Sequence, residues 1–184
     1  ALFLLNVIAV AQSPYHKDLS SLSLTVFLEG PFSGAEMNTD LNPADIPLSQ
    51  PYNDPLKWNY QGSESVASIP NADVVDWVMV ELRDAVSAAA ADESTTFDRM
   101  AGFILKDGSV VALDGSSYLV GEGAVSNGLF VVIRHRNHLD VMSANALVPS
   151  GGTYSYDFTS GSLQAYGTDS QINLGGGVYG MREI

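Results

Sequence analysis

The densest run of chemistry-bearing side chains is Arg134-His-Arg-Asn-His138 followed by Asp140, with two imidazoles, two guanidinium groups and a nearby carboxylate. Imidazole beside carboxylate suits acid–base catalysis, and guanidinium suits anion recognition. On a strand, however, side chains alternate between faces. His135 then shares a face with Leu129, Val131 and Ile133, while Arg134 and Arg136 share the other with Phe130 and Val132. A histidine on such a face reads as a hydrogen-bonded core residue. The arginines need anions, because a buried unpaired charge is very costly. The nearest candidates are Asp76, Glu81 and Asp84. The expectation is therefore a set of structural ion pairs among Asp76, Glu81, Asp84, Arg134 and Arg136, with no catalytic residues and no enzymatic role.

Other chemical templates fit less well. Only three histidines are present, His16, His135 and His138, and no His-x-x-x-His pattern lies on a helical stretch, so no zinc site is expected. Asp107-Gly108 and Asp114-Gly115 suit hairpin turns better than calcium loops, since the alternating ligands and closing Glu of an EF-hand are absent. Ser63-Glu-Ser65 lacks the flanking glycines of a nucleophile elbow, and Gly175-Gly-Gly177 is not followed by the Lys-Ser/Thr of a phosphate loop. Two binding readings stay open. Ca²⁺ has candidate ligands in Asp40, Asp45 and Asp54 with backbone carbonyls, and Tyr52, Trp58 and Tyr60 form a candidate sugar-contact cluster beside Asn, Gln and Asp residues. Trp58 could equally cap a core.

The elements that must position these residues read as short strands separated by turn signals. Leu22 to Leu28 is a first body strand ending at Gly30-Pro31, and Val74 to Leu82 is dense enough in β-branched and aromatic residues to be central. Arg99 to Leu105 and Ser109 to Leu113 form a hairpin around Asp107-Gly108. Leu129 to Arg136, Leu139 to Met142 and Thr153 to Phe158 add further strands. Between the first two lies a Pro-rich loop, 31–62, with Pro31, Pro43, Pro47, Pro51 and Pro55, which has to pack down as a flap or carry a function. Asp84 to Asp98, rich in Ala and Ser, is either a short helix or a loop. The expected fold is all-β, an antiparallel β-sandwich of the Ig-like or jelly-roll kind spanning 13–184 as one domain.

Bulk properties exclude several partner classes. A net charge of −13 with only 8 Lys+Arg excludes nucleic-acid binding through clustered cations and argues against an anionic membrane surface. With no Cys, neither disulfides nor thiolate sites can form. Charged residues make up 16% and hydrophobic ones 46% of 184 residues, which favours a packed domain over an acidic disordered tail. No apolar run in the body approaches the roughly 18 residues of a membrane span.

Several motifs in order carry a family resemblance: Phe27-Leu-Glu-Gly-Pro31, Trp58-Asn-Tyr-Gln-Gly-Ser-Glu-Ser-Val-Ala-Ser-Ile-Pro70, Val75-Asp-Trp-Val-Met-Val-Glu-Leu-Arg-Asp84, Ile133-Arg-His-Arg-Asn-His-Leu-Asp-Val-Met-Ser143 and Tyr156-Asp-Phe158. Over about residues 22 to 181 the chain resembles a β-sandwich module of secreted and cell-surface, adhesin-like proteins of the Bacteroidetes phylum. The resemblance implies an extracellular or cell-surface location and an adhesive or structural role. Members often continue past a Tyr-Gly-Met like Tyr179-Gly-Met181 into a calcium-binding, dockerin-like or sorting segment; no expectation about such a segment is carried over to this chain.

The first eleven residues combine the apolar run and the small-x-small ending (Ala9-Val10-Ala11) of a secretory signal. Read as a strand, they are apolar on both faces: Leu2, Leu4, Ile8 and Val10 on one, Phe3, Leu5, Val7 and Ala9 on the other. Such a strand needs cover all round, which a groove in a neighbouring copy supplies by strand addition. Residues 1–12 are therefore expected to be a donor strand, with Leu2, Phe3, Leu4, Leu5, Val7, Ile8 and Val10 as inter-subunit contacts. The expected function is a non-catalytic extracellular subunit that assembles with copies of itself into a filament or tube. The alternative is a carbohydrate-binding or adhesive module.

Overall fold

The computed structural model describes residues 19–184, so the expected donor-strand residues Leu2 to Val10 lie outside the described residues. The described chain is nearly all β. Its strands are β1 (Leu19–Thr25), β2 (Phe32–Ser33), β3 (Glu36–Met37), β4 (Val74–Asp84), β5 (Thr96–Leu105), β6 (Ser109–Val111), β7 (Leu119–Glu122), β8 (Leu129–His135), β9 (His138–Met142), β10 (Pro149–Ser150), β11 (Thr153–Asp157), β12 (Ile172–Gly175) and β13 (Val178–Gly180). The Ala- and Ser-rich stretch holds only two 3₁₀ turns, Ala88–Ala90 and Glu93–Thr95. Its alanines offer too little apolar surface to hold a longer helix against the sheet.

One principal sheet runs in the order β10-β11-β1-β6-β5-β4-β8-β9, with β7 also paired to β1. β4 is central, as its composition predicts. It pairs antiparallel with β5 on one side and β8 on the other. The turn between β5 and β6 follows the Asp-Gly signal: Gly108 takes φ 84°, a left-handed conformation that glycine adopts without a Cβ penalty, and its N–H donates to the Leu105 carbonyl. The all-antiparallel expectation is corrected where β1 and β11 run parallel, Ser21 to Thr25 against Thr153 to Asp157, and again at the parallel bridge between Leu28 and Met181. Nothing local in either strand specifies this direction. The long connection between them permits it, since parallel neighbours only need a crossover of sufficient length.

The sheet curls around one core. Alternate residues of its strands point inward and meet there: Leu22 and Leu24 from β1, Val78, Val80 and Leu82 from β4, Ile104 from β5, Val131 and Ile133 from β8, and Val141 from β9. The C-terminal residues complete the curl. The Met181 N–H donates to the Phe27 carbonyl and the Glu29 N–H to the Met181 carbonyl, while the Leu139 N–H donates to Arg182 and the Ile184 N–H to Asn137. This tail therefore hydrogen-bonds to the chain just past β1 on one side and to β9 on the other.

The outer face of β4 is covered too. Ile46, Tyr52 and Trp58 of the Pro-rich loop pack with Val74, Trp77 and Met79 of β4 and Phe103 of β5 in a second apolar cluster. The loop is thus a flap pinned to the sheet. The Tyr52 hydroxyl donates to the Trp77 carbonyl at 2.8 Å, and the Trp77 indole N–H donates to the Pro47 carbonyl at 2.7 Å. With both faces covered, β4 is buried from Val74 through Leu82, which explains why it reads as a nearly continuous apolar run interrupted only by Asp76 and Glu81.

Candidate functional site

The two carboxylates that interrupt β4 each organise a charged cluster. Alternation puts Glu81 on the flap-side face of the sheet, directly opposite Arg99 on β5 and Val132 on β8. Its side chain is fully buried. Arg83 Nη2 lies 2.5 Å from Glu81 Oε1, and Thr96 Oγ1 donates to the same oxygen at 2.9 Å. Arg99 Nε donates to Oε2 at 2.8 Å, with Arg134 Nη2 3.4 Å from it. Glu93, in the second 3₁₀ turn, forms a lid over the same arginines, 3.7 Å from Arg83 and 3.5 Å from Arg134, with a further hydrogen bond from Arg99. Arg134 Nη1 also donates to Asp140 at 2.6 Å.

Arg83, Arg99 and Arg134 thus balance Glu81, Glu93 and Asp140, and the cluster carries no net charge when all are ionised. Burial alone would raise the Glu81 carboxyl, but the Arg134 and Arg83 charges outweigh it and hold Glu81 below its usual value. Asp140 goes the other way: its loss of water outweighs the attraction of Arg134, and its carboxyl is raised.

Asp76, near the start of β4, anchors the second cluster. Arg136 grips it in a bidentate fork, Nε to Oδ2 at 3.0 Å and Nη2 to Oδ1 at 3.0 Å. His135 Nε2 lies 3.1 Å from Oδ2, and the Trp77 N–H donates to Oδ1 at 2.8 Å. Burial pushes the Asp76 carboxyl up, yet His135 and Arg136 overcome it and hold it low. Beyond His135 comes His138, whose Nδ1 is 2.8 Å from His135 Nδ1. Burial and its neighbour His135 bring the His138 imidazole down to about 4, so it is neutral at pH 7.

The charged residues singled out from the sequence therefore fall into two groups, Glu81 with Arg134 and Asp76 with Arg136. Asp84 belongs to neither. Its carboxylate accepts the N–H groups of Ser126, Asn127 and Gly128 at 3.0, 2.8 and 3.1 Å, and these bonds hold it below its usual value against the opposing effect of desolvation. Its role is to cap the loop entering β8, and the expected pairing with an arginine is corrected accordingly. Arg83, Arg99 and Glu93 were not foreseen. Arg83 follows Glu81 at the spacing of one strand face, which is a readable signal; Arg99 and Glu93 reach Glu81 only through the β4–β5 register.

The aromatic cluster is mostly inaccessible. Tyr52 is 0% and Trp58 8% exposed, their rings meet edge to face, and the Lys57 ammonium sits over the Trp58 ring. Stacking a sugar needs a free ring face, so these two residues belong to the flap's core contact rather than to a sugar platform. Tyr60 is half-buried, with its hydroxyl on Glu64. Of the proposed Ca²⁺ ligands, Asp54 turns inward on its own loop, accepting the N–H of Leu56 and of Lys57. Among the described residues no group of three or more His, Asp or Glu side chains converges as a metal site.

No family model, no curated protein and no solved structure matches this chain.

A cleft of about 440 Å³ opens beside the second cluster, between the Pro-rich segment and the β8–β9 turn, and Asp76, His135 and His138 line it together with Asp40 and Glu183. Chemically, the Glu81 cluster is a closed clamp in which every carboxylate faces guanidinium. The Asp76 cluster is closed at its arginine end and reaches the cleft at its histidine end.

Proposed function

We propose that this chain is a non-catalytic structural subunit of an extracellular assembly, its curled body acting as a rigid block and residues 1–11 as the joint to the next copy. The observation that carries the reading is the Glu81 clamp: three arginines and three carboxylates from β4, β5, β8, β9 and the connecting 3₁₀ turn neutralise one another. Of the run of charged groups that most invites a catalytic interpretation, Arg134 and Asp140 are thereby accounted for as reinforcement of the sheet. The block itself is nearly all β, one curled mixed sheet around an apolar core. The resemblance to adhesin-like surface modules supports the extracellular location.

The joint follows from the two-faced apolar pattern of Leu2 to Val10. Burying about seven large side chains yields roughly 1.5 to 3 kcal/mol each, and ordering the strand costs about 1 to 2 kcal/mol per residue. The balance is favourable only where backbone pairing along a groove adds to it, which selects strand addition over loose adhesion. A head-to-tail contact of this kind propagates an open filament. Negative-stain images and sedimentation of the full chain and of a form lacking residues 1–11 test the idea. The full chain polymerises and the shortened form stays as single particles; polymers of the shortened form would refute the joint.

A further inference from the structure

Asn127 is the only asparagine of the chain that is followed by glycine. In that pair a side-chain amide is lost most readily, because glycine has no side chain to shield its backbone nitrogen and lets the chain turn freely. The reaction needs the Gly128 nitrogen to give up its proton and swing onto the amide carbon of Asn127. Here the Gly128 N–H donates to Asp84 Oδ1 at 3.1 Å, and the Gly128 carbonyl accepts the Ala85 N–H at 3.0 Å. The Ser126 and Asn127 N–H groups donate to the same carboxylate at 3.0 and 2.8 Å. The leaving nitrogen, Asn127 Nδ2, lies 3.4 Å from Asp84 Oδ2. Asn127 itself is exposed, so water reaches it.

Three consecutive N–H groups on one carboxylate fix the peptide planes of residues 126–128, so the Gly128 nitrogen cannot reach the side chain without breaking those bonds. Charge acts in the same direction. Asp84 is held ionised by these bonds, and a carboxylate opposes a second negative charge on the nitrogen beside it. The glycine is also required by the fold: a Cβ on Gly128 would stand 3.1 Å from both the Ala85 carbonyl oxygen and the Ala146 methyl. A reactive pair is therefore built into the entry to β8, and Asp84 is what keeps it unreactive.

We propose that Asn127 is a deamidation site guarded by Asp84: its amide is lost only from states in which the cap over residues 126–128 has opened, and the loss prevents the cap from re-forming. In the open state the Gly128 nitrogen gives its proton to solvent and bonds to Asn127 Cγ. The Cγ–Nδ2 bond breaks, and Nδ2 takes a proton from solvent and leaves as ammonia. Water then opens the cyclic imide, at the Cγ–N bond to give aspartate or at the backbone C–N bond to give isoaspartate, and returns a proton to the nitrogen. In net terms, amide and water become carboxylate and ammonium. The new carboxylate stands where Nδ2 faced Asp84, so an attraction becomes a repulsion. The isoaspartate form also lengthens the backbone by a methylene and shifts the three N–H groups out of register with Asp84. The site is independent of the assembly joint, so either reading can fail without the other.

The test incubates the full chain at mildly alkaline pH and follows Asn127 by peptide mapping with mass spectrometry. The same chain unfolded in urea gives the unguarded rate, and Gly102→Ala controls for general loss of stability. The folded parent should keep the amide at least roughly ten-fold longer than the chain in urea, and Asp84→Ala should remove most of that protection while Gly102→Ala does not. Asp84→Asn keeps an acceptor oxygen without the charge, so it should fold even where the alanine variant does not, and its rate should lie between parent and urea. Asn127→Asp imitates one product, and hydrogen exchange of the amides of residues 126–128 should quicken by roughly two- to five-fold in it. An amide lost as fast from the folded parent as in urea, Asp84 variants no faster than Gly102→Ala, or unchanged exchange in Asn127→Asp would each overturn the proposal.

Discussion

At the scale of single residues, Glu81 and His138 are buried polar groups held in opposite ways. Glu81 is stable as an anion because three arginines and a hydroxyl surround it. Glu81→Gln keeps the shape, removes the charge and leaves those arginines facing only Glu93 and Asp140. Loss of one partner from a buried ion cluster costs about 3 to 5 kcal/mol. Denaturant titration should register a loss of that size, and a variant as stable as the parent would mean that the clamp contributes nothing.

His138 is stable only when neutral. Its folded value of about 4 lies below the ordinary 6.5, so the unfolded chain binds the proton more tightly and acid favours unfolding. The contribution is complete above pH 6.5 and disappears as the pH falls from 6.5 toward 4. Asp76 adds a second loss below its ordinary 3.8, because its folded carboxyl is depressed and its pairing with His135 and Arg136 requires the anion. The groups around this imidazole are Asp76, His135 and Arg136 on the sheet and Asp40 and Glu183 at the cleft. The His138 share of the loss falls between pH 6.5 and about 4. Melting temperatures across that range should fall, and the fall should be shallower in His138→Gln.

At the scale of elements, the close approach of β5 to its neighbours depends on Gly102. A Cβ there would collide with the Val111 carbonyl oxygen and press on Leu119, and the first of these is backbone that cannot rotate away. Gly102→Ala should destabilise the β5–β6 pairing by roughly 1 to 3 kcal/mol, measurable by chemical denaturation. A neutral substitution would mean that β6 can shift aside. This constraint shows where sequence reasoning ends. The central place of β4 was legible from the composition of Val74 to Leu82, and the β5–β6 turn from Asp107-Gly108, because both signals are local. The parallel β1–β11 pair was not, since strand direction is set by connections and packing far from either strand. The same limit hid part of the clamp. Glu81 and Arg99 stand opposite each other only in a register that the intervening connection leaves open, whereas the separation of Arg134 from His135 onto different faces followed from alternation alone. Tyr52 and Trp58 looked available for a ligand because a Pro-rich stretch reads as exposed loop; the second apolar cluster on the outer face of β4 draws them in.

At the scale of the whole molecule, the dominant quantity is a net charge of −13 on 184 residues. Bodies of like charge repel, and any joint between copies has to overcome that repulsion as well as the ordering of its own strand. The proposed joint is apolar, so salt leaves its attraction largely intact while screening the opposing term: the Debye length shrinks to about 10 Å at 0.1 M and roughly 3 Å at 1 M. Strand addition should therefore speed up as ionic strength rises, and the increase should be greatest at low salt, where screening changes most. An interface held by ion pairs would behave in reverse, because screening weakens the attraction itself. Light scattering of the full chain against sodium chloride concentration separates the two cases. Faster and more extensive assembly with salt is the result expected of an apolar strand joining acidic bodies, and assembly that dissolves on adding salt would rule that joint out.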